Sequence, residues 1–215
     1  KGGKRVASVY GMLQRTGYGF PPTLFEDYER PLANVSVRFQ SGKKSYATRT
    51  DRHGVYAFNR LPPDTYQVLV DLPPNLVIVS AEGENPVLTF EMSAGTCHLY
   101  SIDALPTGRI SGNVIGPDDK PLRSTSVDLY RLDRYKDGEQ GLHAHGDGKP
   151  FDYKYLPGGD YILLFNPDNK LKPDVPFTRT FYPNATDLQH STPIHLAEGQ
   201  QIMNVDIHVS KGIPA

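Results

Sequence analysis

The chain contains the same ten-residue pattern twice, as LPPDTYQVLV at 61–70 and as LPGGDYILLF at 156–165. In each copy a Leu-Pro pair is followed by small or polar residues, a tyrosine and an apolar run. Proline redirects the chain at a turn, and a short apolar run bounded by turn residues is typical of a buried strand. The pattern therefore predicts a turn that leads into a core strand, at two places in one chain.

The repeat extends in both directions from this pattern. Three further pairs of segments correspond: VYGML at 9–13 with ISGNV at 110–114, PLANVSVRF at 31–39 with PLRSTSVDLY at 121–130, and FEMSAGT at 90–96 with IHLAEGQ at 194–200. The pairs occur in the same order, which indicates a tandem duplication with its boundary near 104–108. We therefore expect a first domain at 1–105 and a second domain at 106–215.

Apolar and polar residues alternate within each copy. Every second residue from Val35 in 34–40 is apolar, and so is every second residue from Met203 in 201–210. Such alternation places one face of a strand in a core and the other face in water. No segment has the apolar spacing of a long amphipathic helix, and turn residues recur roughly every 8 to 12 residues, as in β-sandwiches. The sequence predicts an all-β protein with two sandwich domains.

Composition excludes several classes of protein. The net charge of the 215 residues is −1, whereas a nucleic-acid-binding protein normally has a basic excess. No apolar run approaches the roughly 20 residues that a membrane-spanning helix needs. The segment 1–11 lacks the apolar centre of a signal peptide, so we expect that no signal peptide is present in this chain. The single cysteine, Cys97, excludes an internal disulfide and is expected to be a small residue packed in a strand.

The order of these motifs resembles that of the carboxypeptidase regulatory-like domain. The first copy has them as PLANVSV, TDRHGVYAF and LPPDTYQVLV, and the second as GRISGNVIGPDDKPL, STSVDLY, HGDGKPFDY and LPGGDYILLF. The resemblance implies that each domain is a seven-stranded Greek-key β-sandwich, prealbumin-like or Ig-like and related in shape to collagen-adhesin B-type repeats. It also implies an exported bacterial protein, periplasmic or secreted, in which this domain is an accessory module.

The shared ten-residue pattern has a structural interpretation in both copies. Leu61 and Leu156 are expected to close one end of each sandwich before the proline redirects the chain. Tyr66 and Tyr161 are expected to begin the next strand with the ring buried and the hydroxyl bonded to nearby backbone. The pattern is therefore interpreted as part of the fold and not as a repeated binding site.

Only the first copy contains an insertion, at 16–30. It includes four aromatic residues that we assign as a candidate binding site: Tyr18, Phe20, Phe25 and Tyr28. Long loops in compact domains are often functional, and aromatic side chains on a loop stiffened by proline favour binding to sugars or to grooves on proteins. The same side chains could instead fold back on the sandwich or fill an interface between the copies. The expected partner in the first case is a cell-surface polysaccharide or a protein.

A second candidate site lies in GLHAHGDG, which contains His143, His145 and Asp147. Residues two apart on a strand share a face, so the two imidazoles could bind one metal ion together with Asp147. Further ligands would have to come from elsewhere, for example from His53 or His190. The alternative is that both histidines are solvent-facing residues in a hairpin.

The residues give little indication of catalysis. The sequence has no G-x-S-x-G motif, no suggested Cys/His pair and no paired carboxylates on matching elements. The favoured hypothesis is a non-catalytic extracytoplasmic module, without a cofactor, that acts as a spacer, adhesion or assembly element of a larger protein. The first alternative is a polysaccharide- or peptide-binding domain that uses 16–30, and the second is a metal-dependent enzyme around His143 and His145.

Replacing 17–29 by a short Gly-Ser turn tests the aromatic candidate site. We expect the variant to lose binding to cell-surface polysaccharide or peptidoglycan in a pull-down, because it lacks all four aromatic side chains. Its circular dichroism spectrum should be unchanged, because the second copy makes the equivalent crossing, from Val114 to Pro121, without an insertion. A matched Gly-Ser replacement of the turn 117–120 should leave binding intact. Unchanged binding after loss of 17–29 would contradict the assignment.

Overall fold

The computed structural model of the protein describes residues 6–16, 30–136, 141–147, 149–171 and 176–211. All regular elements in these ranges are β-strands, apart from one turn of 3-10 helix at Leu132–Arg134. The all-β prediction is therefore confirmed.

The chain divides into two compact units, with the division between Pro106 and Thr107. Unit 1 contains the described residues up to 106, and unit 2 contains those from 107 onwards.

Unit 1 contains twelve strands. They are β1 (Ala7–Arg15), β2 (Arg30–Pro31), β3 (Ser36–Ser41), β4 (Lys44–Arg49), β5 (Val55–Leu61), β6 (Asp64–Val70), β7 (Leu76–Val77), β8 (Val79–Ser80), β9 (Gly83–Glu84), β10 (Leu88–Met92), β11 (Cys97–Leu99) and β12 (Ile102–Pro106). In sheet I, β1 lies between β5 on one side and β11 and β12 on the other, with β2 and β7 at its margins. Sheet II has the order β10-β6-β3-β4, and β8 pairs with β9 separately.

Unit 2 contains ten strands. They are β13 (Gly108–Gly112), β14 (Val114–Ile115), β15 (Ser124–Arg131), β16 (Leu142–Asp147), β17 (Phe151–Leu156), β18 (Gly159–Phe165), β19 (Thr180–Phe181), β20 (Ile194–Leu196), β21 (Gln201–Ile202) and β22 (Ile207–His208). Sheet III consists of β17-β13-β21 and its continuation β14-β22. Sheet IV has the order β16-β15-β18, with β19 and β20 on the far side of β18. The connections therefore repeat those of unit 1.

The first strand of each unit runs parallel to its last strand. In unit 1, β1 pairs with β11 and then with β12, which are two halves of one interrupted strand. In unit 2, β13 pairs with β21 and β14 with β22 in the same way. Equivalent backbone hydrogen bonds of 3.0 Å join the start of each pair, from Ser8 N to Thr96 O and from Arg109 N to Gln200 O.

A glycine lies at the closest approach of the first and last strands in both units. A Cβ on Gly11 would lie 1.8 Å from the carbonyl oxygen of Tyr100, and a Cβ on Gly112 would lie 1.9 Å from that of Val205. No side chain fits at such a distance, so only glycine permits this contact between backbones. This contact explains why the repeat places a glycine inside a strand.

The two sheets of unit 1 enclose one apolar core. The alternation predicted from Val35 is confirmed, since Val35, Val37 and Phe39 are 7%, 0% and 0% exposed. Their side chains meet those of β1 and β5 from sheet I, and the rings of Phe39 and Phe58 lie 4.8 Å apart. Burial of such a layer of side chains between two sheets is the main source of stability in a sandwich.

The alternation predicted from Met203 is wrong at its first residue. Met203 is 48% exposed, while Val205, Ile207 and Val209 are each 4% exposed or less. The strand is interrupted between β21 and β22, where Asn204 has a φ of 61°. This left-handed residue shifts the inward face of the chain, so that Met203 points outward although the pattern groups it with the core.

The predicted role of the two tyrosines in the shared pattern is confirmed. Tyr66 and Tyr161 are each 1% exposed. The Tyr66 hydroxyl donates to the carbonyl oxygen of Pro62 at 2.7 Å, and the Tyr161 hydroxyl donates to that of Pro157 at 2.7 Å. Each tyrosine therefore fixes the turn that precedes its own strand.

Strand β18 is buried on both faces. Leu163 and Phe165 belong to the core between sheets III and IV, whereas Ile162 and Leu164 contact a second apolar cluster on the outward side of sheet IV. Part of the Pro-interrupted stretch 167–186 forms that cluster, and its strand β19 pairs with the end of β18. Within the described residues this stretch therefore pairs with β18 and also covers part of the outward face of sheet IV.

Removing either buried tyrosine hydroxyl should destabilise the unit that contains it. We expect Tyr66→Phe and Tyr161→Phe each to lower the free energy of unfolding by about 1–2 kcal/mol, because the proline carbonyl loses its donor. Urea unfolding of each variant measures the change. Tyr10→Phe, at a side chain that is 49% exposed, is the matched control and should change stability little. Equal effects at all three positions would show that the bonds do not stabilise the fold.

Candidate functional site

The predicted aromatic binding site cannot be placed in this structure. Tyr18, Phe20, Phe25 and Tyr28 all lie outside the described residues. Their assignment as a binding site for polysaccharide or protein stays a prediction.

The three predicted metal ligands, His143, His145 and Asp147, all lie on β16. Only His143 has a described side chain, and its Nδ1 hydrogen-bonds the carboxylate of Asp128. A metal ion could therefore reach this imidazole only through Nε2. Among the described residues no three His, Cys, Asp or Glu side chains are grouped so that they could hold a metal ion. The metal site stays a prediction.

The two histidines considered as further ligands have local partners. The His53 Nε2 accepts a hydrogen bond from the Arg52 Nε at 2.9 Å. The His190 Nδ1 lies 2.7 Å from an oxygen of Asp187, and this pair, together with the backbone N–H of His190, holds the pKa of Asp187 below its usual value. Both contacts are typical of exposed turns.

The partner of His143 is a buried carboxylate. Asp128 is 4% exposed and lies on β15 directly opposite His143 on β16. One carboxylate oxygen accepts from the His143 Nδ1, and the other accepts from the Tyr130 hydroxyl at 3.1 Å. A buried carboxylate without such donors would be strongly unfavourable. The three side chains therefore form one hydrogen-bonded group on the outward side of sheet IV.

Burial holds the tyrosines around Asp128 in their protonated state. Burial, and then the nearby Asp128 carboxylate, raise the pKa of Tyr130 well above its ordinary value. The same two causes raise the pKa of Tyr153, whose hydroxyl donates to the carbonyl oxygen of Val127 at 2.7 Å from the core side of the sheet. Both phenols therefore act as hydrogen-bond donors and not as bases.

An aromatic layer extends from this group across the outward side of sheet IV. The Tyr130 and Tyr135 rings meet edge to face at 5.0 Å, and Tyr135 contacts Phe181 at 6.2 Å. The Arg179 guanidinium donates to the Tyr135 hydroxyl at 2.7 Å and lies 5.2 Å from the Phe181 ring centre. We refer to the six side chains Asp128, Tyr130, Tyr135, His143, Arg179 and Phe181 as the outer-face cluster.

The outer-face cluster holds the imidazole of His143 in a fixed orientation at the surface. The His143 side chain is 33% exposed, and its carboxylate partner is 5% exposed. A carboxylate on one ring nitrogen is how proteins orient a histidine for ligand binding or proton transfer. The bond between Asp128 and His143 joins β15 to β16. The bond from Arg179 to the Tyr135 hydroxyl, together with the ring contacts of Tyr135, joins β15 to the stretch around β19.

Sequence reasoning missed most of this cluster. Asp128 alternates with Val127 and Leu129 in the sequence, a pattern that by itself indicates a solvent-facing residue. The missed indication is the run ILLF in β18, which does not alternate, and which therefore shows that the outward side of sheet IV is covered. In unit 1 the equivalent residue is Arg38, which forms an exposed ion pair of 3.1 Å with Asp71.

The expectation that Cys97 is a packed residue is wrong. Cys97 does lie in a strand, β11, but its side chain is exposed on the outward side of sheet I. Alternation along β11 turns the following residue, His98, inward against Phe90, so Cys97 takes the opposite face.

No helix in the described part of the chain is long and apolar enough to cross a membrane.

Comparison with known proteins gives only distant likenesses. No family model matches the chain, and no curated protein matches it. The Bacillus anthracis TIE protein is 15% identical over 96% of this chain and 34% of its own, with a TM-score of 0.46. The minor pilin of Streptococcus agalactiae is 15% identical over 97% of both chains, with a TM-score of 0.35. The shaft pilin SpaA of Lactobacillus rhamnosus GG is 7% identical over 98% and 99%, with a TM-score of 0.34.

These solved structures include pilins of two bacteria. The chain spans about a third of the length of the Bacillus anthracis protein, since it covers 34% of it. Likenesses with these scores establish neither a shared family nor a shared function. The carboxypeptidase regulatory-like assignment therefore stays a prediction.

Removing the Asp128 carboxylate should destabilise unit 2. We expect Asp128→Ala to lower the free energy of unfolding by about 1–3 kcal/mol, because Tyr130 and His143 lose their buried acceptor. Asp160→Ala is the matched control, since Asp160 forms an exposed cross-strand pair of 2.8 Å with His195, and exposed pairs contribute little. Thermal unfolding followed by circular dichroism compares the two. A neutral Asp128→Ala variant would contradict the structural role of the cluster.

Proposed function

We propose that this chain is a non-catalytic extracytoplasmic module that acts as a spacer, adhesion or assembly element of a larger protein. In this proposal 1–105 and 106–215 are tandem domains of the carboxypeptidase regulatory-like kind. Each is a seven-stranded Greek-key sandwich with a prealbumin-like arrangement.

The main support is the parallel pairing of the first and last strands in each unit. In unit 1 the pairing begins at Ser8 and Cys97 and continues to Arg15 and Ala104. Because the two strands are parallel, the start of the first strand and the end of the last strand lie at opposite ends of the pair. A force that separates these ends must therefore slide the strands past each other. All hydrogen bonds between the strands resist that movement together, whereas the bonds of a hairpin open one after another.

Unit 2 repeats this arrangement. β13 is parallel to β21, and β14 is parallel to β22, so the strands that begin and end the unit are again neighbours. In a chain of units built in this way, tension between the ends would load the hydrogen bonds of each strand pair together. Resistance to tension is what a spacer or an adhesion stalk requires.

The residues that the two copies share also serve the fold and not a site. Leu61 and Leu156 are 1% and 0% exposed, and Tyr66 and Tyr161 hold their turns. The outward surfaces, by contrast, differ between the copies. A duplication that retains its core contacts and varies its surface favours a scaffold over a repeated active site.

Single-molecule force spectroscopy tests the proposal. With handles at the two ends of the chain, we expect unit 1 to unfold at several times the force needed in a control geometry. The control attaches handles at Val6→Cys and Arg60→Cys, in a Cys97→Ser background. Ala7 pairs with Leu61 at the same end of β1 and β5, so this pair of handles opens the bonds one at a time.

Equal unfolding forces in the two geometries would contradict the proposal. Thermal unfolding of the handle variants without force is the required control, because it shows that the substitutions themselves leave the stability of unit 1 unchanged.

A further inference from the structure

The centre of the outward side of sheet I is apolar and uncharged. Its central residues come from three adjacent strands, and we refer to them as the neutral face: Tyr10, Met12, Val55, Ala57, Cys97 and Leu99. Tyr10 is 49% exposed, Val55 is 40% exposed and Leu99 is 66% exposed. The largest apolar patch on a typical soluble domain covers about 300–600 Å² and is often a binding surface.

The members of the neutral face are neighbours and not scattered residues. Tyr10 lies opposite Ala57 on one side and Leu99 on the other, and Met12 lies opposite Val55. Side chains directly opposite each other on one face of a sheet are in contact range. The face is therefore continuous across β5, β1 and β11.

Unit 2 shows that the fold does not require this face to be neutral. On the equivalent side of sheet III, the Arg109 Nε and Nη2 donate to the two oxygens of Asp152 at 2.6 and 2.9 Å. Lys154 lies 3.8 Å from the same carboxylate. The positions of Asp152 and Lys154 correspond to Ala57 and Asn59 in unit 1. The fold thus accepts charged side chains on this side of the first sheet, as unit 2 shows, and unit 1 has none at the corresponding central positions.

Opposite charges lie at the two ends of the neutral face. Arg60 is exposed at the end of β5, beside the irregularity opposite Ser8. Asp103 is exposed on β12 at the other end of β1, where its carboxylate accepts from the Gln14 side chain at 3.0 Å. The face therefore has a neutral centre, a cation at one end and an anion at the other.

We propose that the neutral face packs against the neutral face of a second copy of this chain. A twofold axis in the plane of the contact, tilted from the perpendicular to β1 so that Arg60 of one copy meets Asp103 of the other, makes the two β1 strands cross in roughly antiparallel directions. Arg60 of each copy then lies at the same end of the contact as Asp103 of the other, and no like charges meet at the centre. A face of this pattern is complementary to itself, as a twofold interface requires.

The size of the face predicts a weak dimer. The three strands β1, β5 and β11 are nine, seven and three residues long. At about 4.8 Å between strands and roughly 3.3 Å per residue, the face covers at most about 400 Å² on each copy. The two copies together would bury at most about 800 Å², which is below the roughly 1,200 Å² of stable specific interfaces and in the range of weak, transient contacts. We therefore expect dissociation constants on the order of 100 µM, which matter where several copies are held close together.

Sedimentation velocity over protein concentrations from about 10 µM to about 1 mM tests the dimer, with a reducing agent present so that Cys97 disulfides do not contribute. We expect reversible dimerisation of the full chain and at least a tenfold weaker association for Leu99→Lys. Met203→Lys is the matched control, because Met203 is 48% exposed at the corresponding place in unit 2. It should associate like the unmodified chain. Circular dichroism confirms folding of both variants.

A charge exchange tests the antiparallel arrangement. Arg60→Asp and Asp103→Arg should each weaken the dimer, because each creates a like-charge pair at both ends of the contact. The double variant should restore it, because the charges are exchanged and opposite again.

A chain that remains monomeric throughout, or one whose dimer is equally weakened by Leu99→Lys and Met203→Lys, would overturn the proposal. The first outcome leaves the face to a different protein partner. Dimerisation goes beyond the proposed spacer role, since a monomer can bear tension as well. Failure here and failure in the force experiment are therefore distinguishable.

Discussion

Each unit of this protein depends on the contact between its first and last strands at a glycine. At Gly11 and Gly112 the carbonyl oxygen of the last strand occupies the space that a side chain would need. The two backbones can therefore lie close enough for parallel pairing. In unit 1 the Tyr56 hydroxyl donates to the same Tyr100 carbonyl from the core side, so one oxygen joins both strands to the core. The first and last strands of the unit are thus joined to each other and to the core, and both sheets pack on that core.

The two copies use this common scaffold to support different outward surfaces. In unit 2 the outward side of sheet IV is covered by the stretch around β19, and the covering makes a buried carboxylate, Asp128, possible. In unit 1 the centre of the outward side of sheet I is exposed and apolar. The difference follows from the position of the apolar residues that are not needed in the core. Unit 2 has such residues in the stretch around β19, which covers sheet IV, and unit 1 has them on the exposed side of sheet I. Each unit can therefore carry a different outward surface without loss of the fold.

Much of the fold could be predicted from the sequence, because it depends on local patterns. The Leu-Pro turn and its tyrosine, the alternation from Val35 and the glycines inside strands each have one simple physical cause that acts within a few residues. The outer-face cluster could not be predicted. Asp128, His143 and Arg179 are far apart in the chain, and only the pairing of β15 with β16 and the return of the chain at β19 bring them together. The inward role of Met203 was also mistaken, because the interruption at Asn204 changes the face without changing the apolar pattern. The packed role of Cys97 was mistaken because it was inferred from the residue type, whereas alternation along β11 turns Cys97 outward.

The sequence by itself determined the class of fold, the repetition of one unit and the turns that begin the core strands. These features follow from steric limits at proline and glycine and from the period of two in a strand, which neighbouring residues specify. Only the tertiary structure decided which outward faces are covered and which are open. Burial depends on segments that are distant in sequence, and a residue such as Asp128 or Leu99 has the same local pattern whether another segment lies over it or not.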